Sequence, residues 1–264
     1  MMIISRIQRS YGNSMNGELI NMIQLTLTAK YDINTGEFEK SLTKSEQVEG
    51  YDFRFAPQEF GTKAPAVQVY SCEEWVVELK KRGARDLKFI MADEVDDFAR
   101  LARPNGIQCC IICFYDGGVT SWNKRWLYNP ATQKWHVQLV EIVCQGAPDE
   151  KPRFGDVSQD MVTLLERLRA LSQKLGLSDF SFQFHVAQKS LQANFVSADK
   201  MMQPAHRRLL AAAIDAYVFD GENSWLEKGR AAAEEKGMTA QYDELTKALY
   251  RGIALSCMYA ANEW

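Results

Sequence analysis

Residues 107–144 read IQCCIICFYDGGVTSWNKRWLYNPATQKWHVQLVEIVC, and this stretch decides the fold. It contains three runs rich in Cys, Ile, Val, Trp and Tyr, side chains that suit a pleated and half-buried surface. Two turn signals separate the runs, DGG at residues 116–118 and NPAT at residues 129–132. The stretch therefore predicts three consecutive antiparallel strands, which together form a β-meander.

The part of the chain before this stretch predicts a further hairpin and two helices. Apolar and polar residues alternate over residues 23–31, NTG at 34–36 turns the chain, and residues 38–43 can pair back. Ser71 and Glu74 form a capping box that starts a helix, and residues 93–102 predict a second helix. The alternating residues are Ile23, Leu25, Leu27, Ala29 and Tyr31.

After the meander the composition changes. Residues 145–156 hold Gly and Pro among charged residues and predict a linker. Leucines at helical spacing follow, and the later segments bring the prediction to four or five helices, which pack most naturally as a bundle. The predicted fold is α+β: an N-terminal antiparallel β-meander with two helices, then an all-helical C-terminal half. We predict a sheet domain at residues 1–145 and a helical bundle domain at residues 156–264, either separate or packed as one unit.

Composition bounds the class of protein. The chain has 264 residues, 46% of them hydrophobic and 25% charged, as in ordinary globular proteins. A net charge of −3 argues against binding to nucleic acid, which needs a basic surface. No run of roughly 18 apolar residues predicts a membrane span. Six cysteines are too few for a disulfide-rich secreted scaffold, and the N-terminal residues lack the apolar stretch of a signal peptide. We therefore expect a cytoplasmic protein without membrane contact.

The cysteines at positions 109, 110 and 113 contain a C-x-x-C spacing. Successive side chains of a strand point to opposite faces, so Cys109 and Cys113 should share one face and Cys110 should lie on the other. Metal sites and redox pairs with this spacing need a turn or a helix N-terminus that brings both sulfurs together. The pattern therefore favours inert thiols in a core strand, and we predict neither a metal site nor a cofactor.

The aromatic hairpin is the candidate binding site. If residues 129–132 form the loop, Tyr128 lies opposite Gln133 and Trp126 lies opposite Trp135, with the tryptophans on one face. Aromatic side chains supply large contact areas both in cores and at interfaces. This face is therefore either the surface that packs on the helix begun at Ser71 or a contact surface for a partner protein, with sugar or single-strand binding as a weaker possibility. The candidate binding residues are Trp122, Lys124, Trp126 and Trp135.

An acidic cluster lies at residues 93–97, where Asp93 and Asp97 are one helical turn apart. Such carboxylates can share a cation, but they also complement the positive end of a helix, and the helix-start interpretation is favoured. Histidines are scarce and stand at positions 136, 185 and 206. The chain has no G-x-S-x-G, H-E-x-x-H or glycine-rich phosphate motif.

Two hypotheses for the function follow. The first is a non-enzymatic module that binds another protein, as a regulator or an immunity-type inhibitor, through the tryptophan face. The second is an enzyme of unrecognised type whose site lies between the two halves. Such an enzyme would use some of Asp93, Glu94, His136 and His185.

Overall fold

A computed structural model describes most of the chain. The described residues are 16–39, 45, 47–57, 67–102, 105–146, 150–193, 202–221 and 223–263. Most of the strand predicted at residues 38–43 lies outside these ranges. At the coarse level the predicted class holds: the molecule is a mixed α and β protein with one six-stranded sheet.

The first described element is a helix, α1 (Asn16–Thr35), where the sequence predicted a strand. That prediction was wrong because alternation reports a strand only when the intervening polar side chains face water. Here the polar positions are buried as well: Gln24, Thr26 and Thr28 are each at most 4% exposed. The helix contacts the sheet, a second helix and the last helix, so every side of it is covered.

The sheet contains the predicted meander and extends it on both sides. Its strand order is β2-β1-β6-β5-β4-β3. Strand β1 pairs with β6 in the parallel sense, and all other neighbours are antiparallel. The strands are β1 (Val48–Arg54), β2 (Gln68–Val69), β3 (Ala84–Met91), β4 (Cys109–Tyr115), β5 (Gly118–Asn129) and β6 (Lys134–Val143).

The register between β5 and β6 differs from the prediction by two residues. Tyr128 lies opposite Trp135, whereas Trp126 lies opposite Val137. The loop begins one residue later than predicted, because Asn129 still pairs in the ladder while Gln133 adopts a left-handed backbone with φ of 55°. A slip of two residues preserves the faces of the strands, so the predicted face of each side chain is retained.

The first half contains one of its two predicted helices. Helix α2 (Cys72–Lys81) begins at Ser71, whose hydroxyl accepts a hydrogen bond from the Glu74 backbone N–H. The prediction of a helix at residues 93–102 was wrong for residues 93–97, and a short 3-10 helix forms at Phe98–Ala102. Like charges four residues apart destabilise a helix, and Asp93 and Asp97 would have stood at that spacing.

In the described residues after the meander, all regular structure is helical. A π-helical turn (Trp225–Gly229) precedes α6. The last helix, α7, packs against β3 and α1, so that the first and second halves of the chain are in direct contact. Within the described residues, no helix is both long and apolar enough to cross a membrane. The α-helices here are α3 (Ser158–Leu175), α4 (Ser178–Gln192), α5 (Pro204–Asp215), α6 (Arg230–Glu235) and α7 (Thr239–Asn262).

Candidate functional site

The tryptophan face packs into the core. Trp122 is fully buried and Trp126 is 7% exposed. The Trp122 ring makes edge contacts with Phe53 and with Trp75 of α2, at centroid distances of 6.2 and 5.5 Å. Trp122 therefore packs against α2, as one of the two alternatives for this face expects. The protein itself covers the rings of Trp122 and Trp126, so the contact surface expected at these two residues stays a prediction.

The aromatic face of the hairpin is exposed to solvent at the tip of the hairpin. Trp135 is half-buried, and its ring lies 5.9 Å from that of Trp126 and 5.0 Å from that of Tyr128. Tyr128 is 51% exposed. The hairpin tip therefore offers the exposed Tyr128 ring and the half-buried Trp135 ring. This surface is much smaller than the predicted surface of three indoles.

Lys124 forms a buried ion pair within the fold. Its ammonium group contacts the Glu18 carboxylate at the start of α1 and donates a hydrogen bond to the Ile107 carbonyl oxygen at 2.8 Å. Burial raises the pKa of the Glu18 carboxyl, and the charge of Lys124 opposes that shift. Lys124 therefore joins α1 to the sheet through a buried ion pair.

The cysteines of β4 are thiols with suppressed acidity. All six cysteines of the chain are free. Burial raises the pKa of the Cys109 and Cys113 thiols to about 12 and that of Cys110 to about 11. Because the thiolate is the reactive form, these sulfurs are poor nucleophiles at neutral pH. This arrangement agrees with the interpretation of the C-x-x-C spacing as part of a core strand.

The acidic cluster, in contrast, lines a cleft at the boundary between the two halves. The segment 93–98 forms one wall, and the π-helical turn and α7 form the other. The volume of this junction cleft is about 1170 Å³. We define the junction cleft by its lining residues Asp93, Glu94, Val95, Asp96, Asp97, Phe98, Ser224, Leu226, Glu227, Arg230, Tyr242, Asp243, Thr246, Lys247, Ala248, Tyr250 and Arg251.

Ion pairs cross and line the walls of the junction cleft. Arg251 of α7 lies 3.5 Å from the Asp93 carboxylate, so this pair links the two walls. Arg230 donates to Asp243 at 2.7 Å, and its guanidinium lies 5.5 Å from the centre of the Tyr242 ring. Two arginines of the cleft are therefore bound by carboxylates of its lining, and one of them also lies near the face of an aromatic ring.

Aromatic side chains form the apolar part of the cleft lining. Phe98 packs edge-on against Tyr250 at a centroid distance of 5.9 Å. Tyr250 is 1% exposed, and its hydroxyl has no hydrogen-bond partner among the residues that the structure describes. Tyr242 donates to the Trp225 carbonyl oxygen at 2.8 Å, which holds its ring in place. The cleft thus combines a fixed aromatic surface with one unsatisfied buried hydroxyl.

The histidines stay away from the junction cleft. His136 is half-buried on β6, opposite Leu127 of β5. His185 lines a separate groove of about 480 Å³ between α3 and α4, next to the exposed Phe182. Of the four residues named for an enzyme site, the structure therefore brings Asp93 and Glu94 together in the cleft and leaves His136 and His185 elsewhere.

Sequence reasoning missed the wall that α7 contributes. Its charged residues Asp243, Lys247 and Arg251 recur every four residues, which places them on one face of the helix. That spacing was visible in the sequence, but nothing in it identified the segment 93–98 as the opposite wall. No three or more His, Cys, Asp or Glu side chains in the described ranges are grouped so that they could hold a metal ion.

Comparisons of the chain with protein-family models, with curated protein sequences and with solved structures found no match.

Proposed function

We propose that the protein is a binding module, of a regulatory or immunity type, that receives a segment of a partner protein in the junction cleft. The observation that carries this proposal is the cleft itself. At about 1170 Å³ it exceeds the roughly 300–1000 Å³ of typical small-molecule pockets. An apolar floor with a charged rim is also the usual composition of a protein contact.

This proposal moves the binding site away from the tryptophan face. Trp122 and Lys124 join the sheet to α2 and α1, and Trp126 is buried, so a partner would have to unfold the hairpin to reach them. Trp135 and Tyr128 at the hairpin tip are accessible but offer little area. The junction cleft, by comparison, is open and is lined by exposed side chains such as Glu94 and Lys247.

Affinity purification from the native host tests the proposal with a matched pair of variants. Ala248→Trp places an indole in the cleft wall, and Ala170→Trp places one on the exposed surface of α3. We expect a stoichiometric protein to co-purify with the wild type and with Ala170→Trp, and to be lost from Ala248→Trp. Equal retention by both variants, or no stoichiometric partner at all, contradicts the proposal. Urea unfolding midpoints confirm that both variants fold.

The second candidate is an enzyme that uses the same cleft. One observation favours it: the cleft lies between the two halves, and its lining includes Asp93, Glu94 and Tyr250, whose hydroxyl has no hydrogen-bond partner among the described residues. Native mass spectrometry of the protein purified from its host separates the candidates. A small molecule bound to the wild type and absent from Ala248→Trp supports the enzyme, and a bound polypeptide supports the binding module.

We also propose a cytoplasmic location for this binding module. Its cysteines are free thiols, which suits a reducing compartment. The acidic character of the cleft supports a protein partner over nucleic acid, because phosphate groups would be repelled there.

A further inference from the structure

We infer that the junction cleft selects a partner segment that carries lysine or arginine side chains. This inference rests on the proposed function, namely that a partner segment enters the cleft. It adds the chemistry by which that segment is recognised.

The charge of the lining is the first step. Six carboxylates and three basic side chains line the cleft, so the lining has a net negative charge. Between walls that exclude part of the solvent, such charges are screened less than on an open surface. A cationic segment therefore gains from entering the cleft, whereas an acidic segment is repelled.

The arginines of the cleft illustrate how its lining can hold a cationic side chain. Arg230 is held both by the Asp243 carboxylate at 2.7 Å and by the face of the Tyr242 ring at 5.5 Å. Arg251 is paired with Asp93 at 3.5 Å. Two of the three basic side chains are thus already engaged with the lining.

Carboxylates on the opposite wall remain open to solvent. Glu94 and Asp96 are exposed, and neither forms an ion pair within the described part of the chain. Both stand on the segment that faces α7 across the cleft. An incoming ammonium or guanidinium group would find these carboxylates without having to displace an internal arginine.

The floor of the cleft supplies a second, independent indication of a ligand. The Tyr250 side chain lines the cleft, is 1% exposed and has a hydroxyl without a partner among the described residues. A buried polar group without a hydrogen bond is destabilising, so a ligand that delivers an N–H donor to this hydroxyl is favoured. The neighbouring Phe98 ring offers an apolar surface to the aliphatic stem of a lysine or arginine.

Selection from a phage library of random decapeptides tests this inference. The wild type should recover peptides enriched at least twofold in Lys plus Arg over the input library. Glu94→Gln/Asp96→Asn should lose that enrichment, while the control Asp160→Asn/Glu166→Gln, which removes two exposed carboxylates of α3, should keep it. No enrichment by the wild type, or equal enrichment by both double variants, overturns the inference.

Fluorescence anisotropy with one recovered peptide gives the affinity. We expect at least a fivefold weaker Kd for Glu94→Gln/Asp96→Asn, a weaker Kd at higher salt, and competition by spermidine only at concentrations far above those of the peptide. Spermidine that competes as well as the peptide assigns the site to free polyamines and contradicts a peptide ligand.

The two proposals fail in different ways. If Ala248→Trp abolishes binding of the native partner while Glu94→Gln/Asp96→Asn leaves it unchanged, the binding module stands and the cationic selection is wrong. If Ala248→Trp has no effect on the partner, the binding module itself is wrong.

Discussion

The side chain of Asn262, at the end of α7, pairs with the backbone of Phe89 in β3 as one residue of an additional strand would. Its Nδ2 donates to the Phe89 carbonyl oxygen at 2.7 Å, and its Oδ1 accepts from the Phe89 N–H at 2.8 Å. Strand β3 lies at the edge of the sheet, so this side of Phe89 faces no strand. One side chain thereby closes part of an open edge and joins the second half of the chain to the first.

Replacement of Asn262 by alanine should destabilise the protein by about 2–4 kcal/mol, because two buried backbone groups lose their partners. Urea unfolding monitored by circular dichroism measures the change. Asn123→Ala is the matched control, since the exposed Asn123 side chain donates to the nearby Ser121 hydroxyl at 3.2 Å and forms no other side-chain hydrogen bond within the described ranges. A similar loss of stability in both variants would contradict a special role for Asn262.

The buried ion pair between Lys124 and Glu18 should show strong coupling. Lys124→Met leaves a buried carboxylate without its partner, and we expect a loss of about 3–5 kcal/mol. Glu18→Leu/Lys124→Met removes both charges and should be more stable than the Lys124→Met single variant. A double-mutant cycle from urea unfolding measures the coupling. Additive effects of the two substitutions would show that the pair contributes no net interaction.

The sequence predicted the sheet better than the helix that packs on it, and burial explains the difference. Strands β4 to β6 have one covered face and one partly open face, so their apolar residues follow the period of two. Helix α1 has no open face. Its polar residues Gln24, Thr26 and Thr28 are buried, so the polar positions do not mark a solvent-facing side of the helix. The apolar residues between them therefore follow the alternating pattern that is typical of a strand.

The candidate site was predictable only in part, for a related reason. The carboxylates of residues 93–97 stood out in the sequence, but a cleft requires a second wall. That wall comes from α7, whose Arg251 lies far along the chain from Asp93 and yet 3.5 Å from it in the fold. Local spacing cannot report such a contact. The tryptophans were predicted on the correct shared face, but their burial depends on how α2 docks, which the hairpin sequence does not contain.

Truncation of a core tryptophan should separate the structural from the binding interpretation of the hairpin. Trp122→Ala removes a fully buried indole, and we expect a loss of about 3–5 kcal/mol in the free energy of unfolding. Tyr128→Ala removes a ring that is 51% exposed and should change stability by less than about 1 kcal/mol. If Trp122→Ala keeps the wild-type stability, the indole is not part of the core.

The buried thiols predict that stability falls in alkaline solution. Burial raises the pKa of Cys113 to about 12, whereas an unfolded thiol titrates near 8.5. Between these values the folded chain retains a proton that the unfolded chain has lost, so the free energy of unfolding decreases as pH rises. Each such thiol lowers the free energy of unfolding by at most roughly 1.4 kcal/mol per pH unit. Cys113→Ala should show a shallower decline between pH 8.5 and 10.5, measured by urea unfolding under reducing conditions.

Lys30 should have the opposite effect on the free energy of unfolding over part of the same pH range. Burial lowers the pKa of Lys30 to about 8, while the unfolded side chain titrates near 10.4. The folded chain then binds fewer protons than the unfolded chain between these values, and this contribution to stability rises with pH. Lys30→Met should therefore show a steeper alkaline decline than the wild type. A shallower decline in Lys30→Met would contradict the lowered pKa.

Gly229 is required for space beside the cleft floor, and its replacement should affect both stability and binding. A Cβ at this position would lie 2.8 Å from Cε2 of Tyr242 and 3.0 Å from Cδ2 of Trp225, both ring atoms in a packed cluster. The backbone φ of −64° suits any residue, so the cost is steric. We expect Gly229→Ala to lower the free energy of unfolding by about 1–3 kcal/mol.

The control is Gly117→Ala, since a Cβ there meets no atom within 4 Å. Because Tyr242 lines the junction cleft, the displaced ring should also weaken binding of a selected peptide, measured by fluorescence anisotropy under conditions where both variants are folded. Unchanged stability of Gly229→Ala would show that the rings shift freely. Unchanged peptide binding despite lower stability would place the ligand away from Tyr242 and towards the wall formed by residues 93–98.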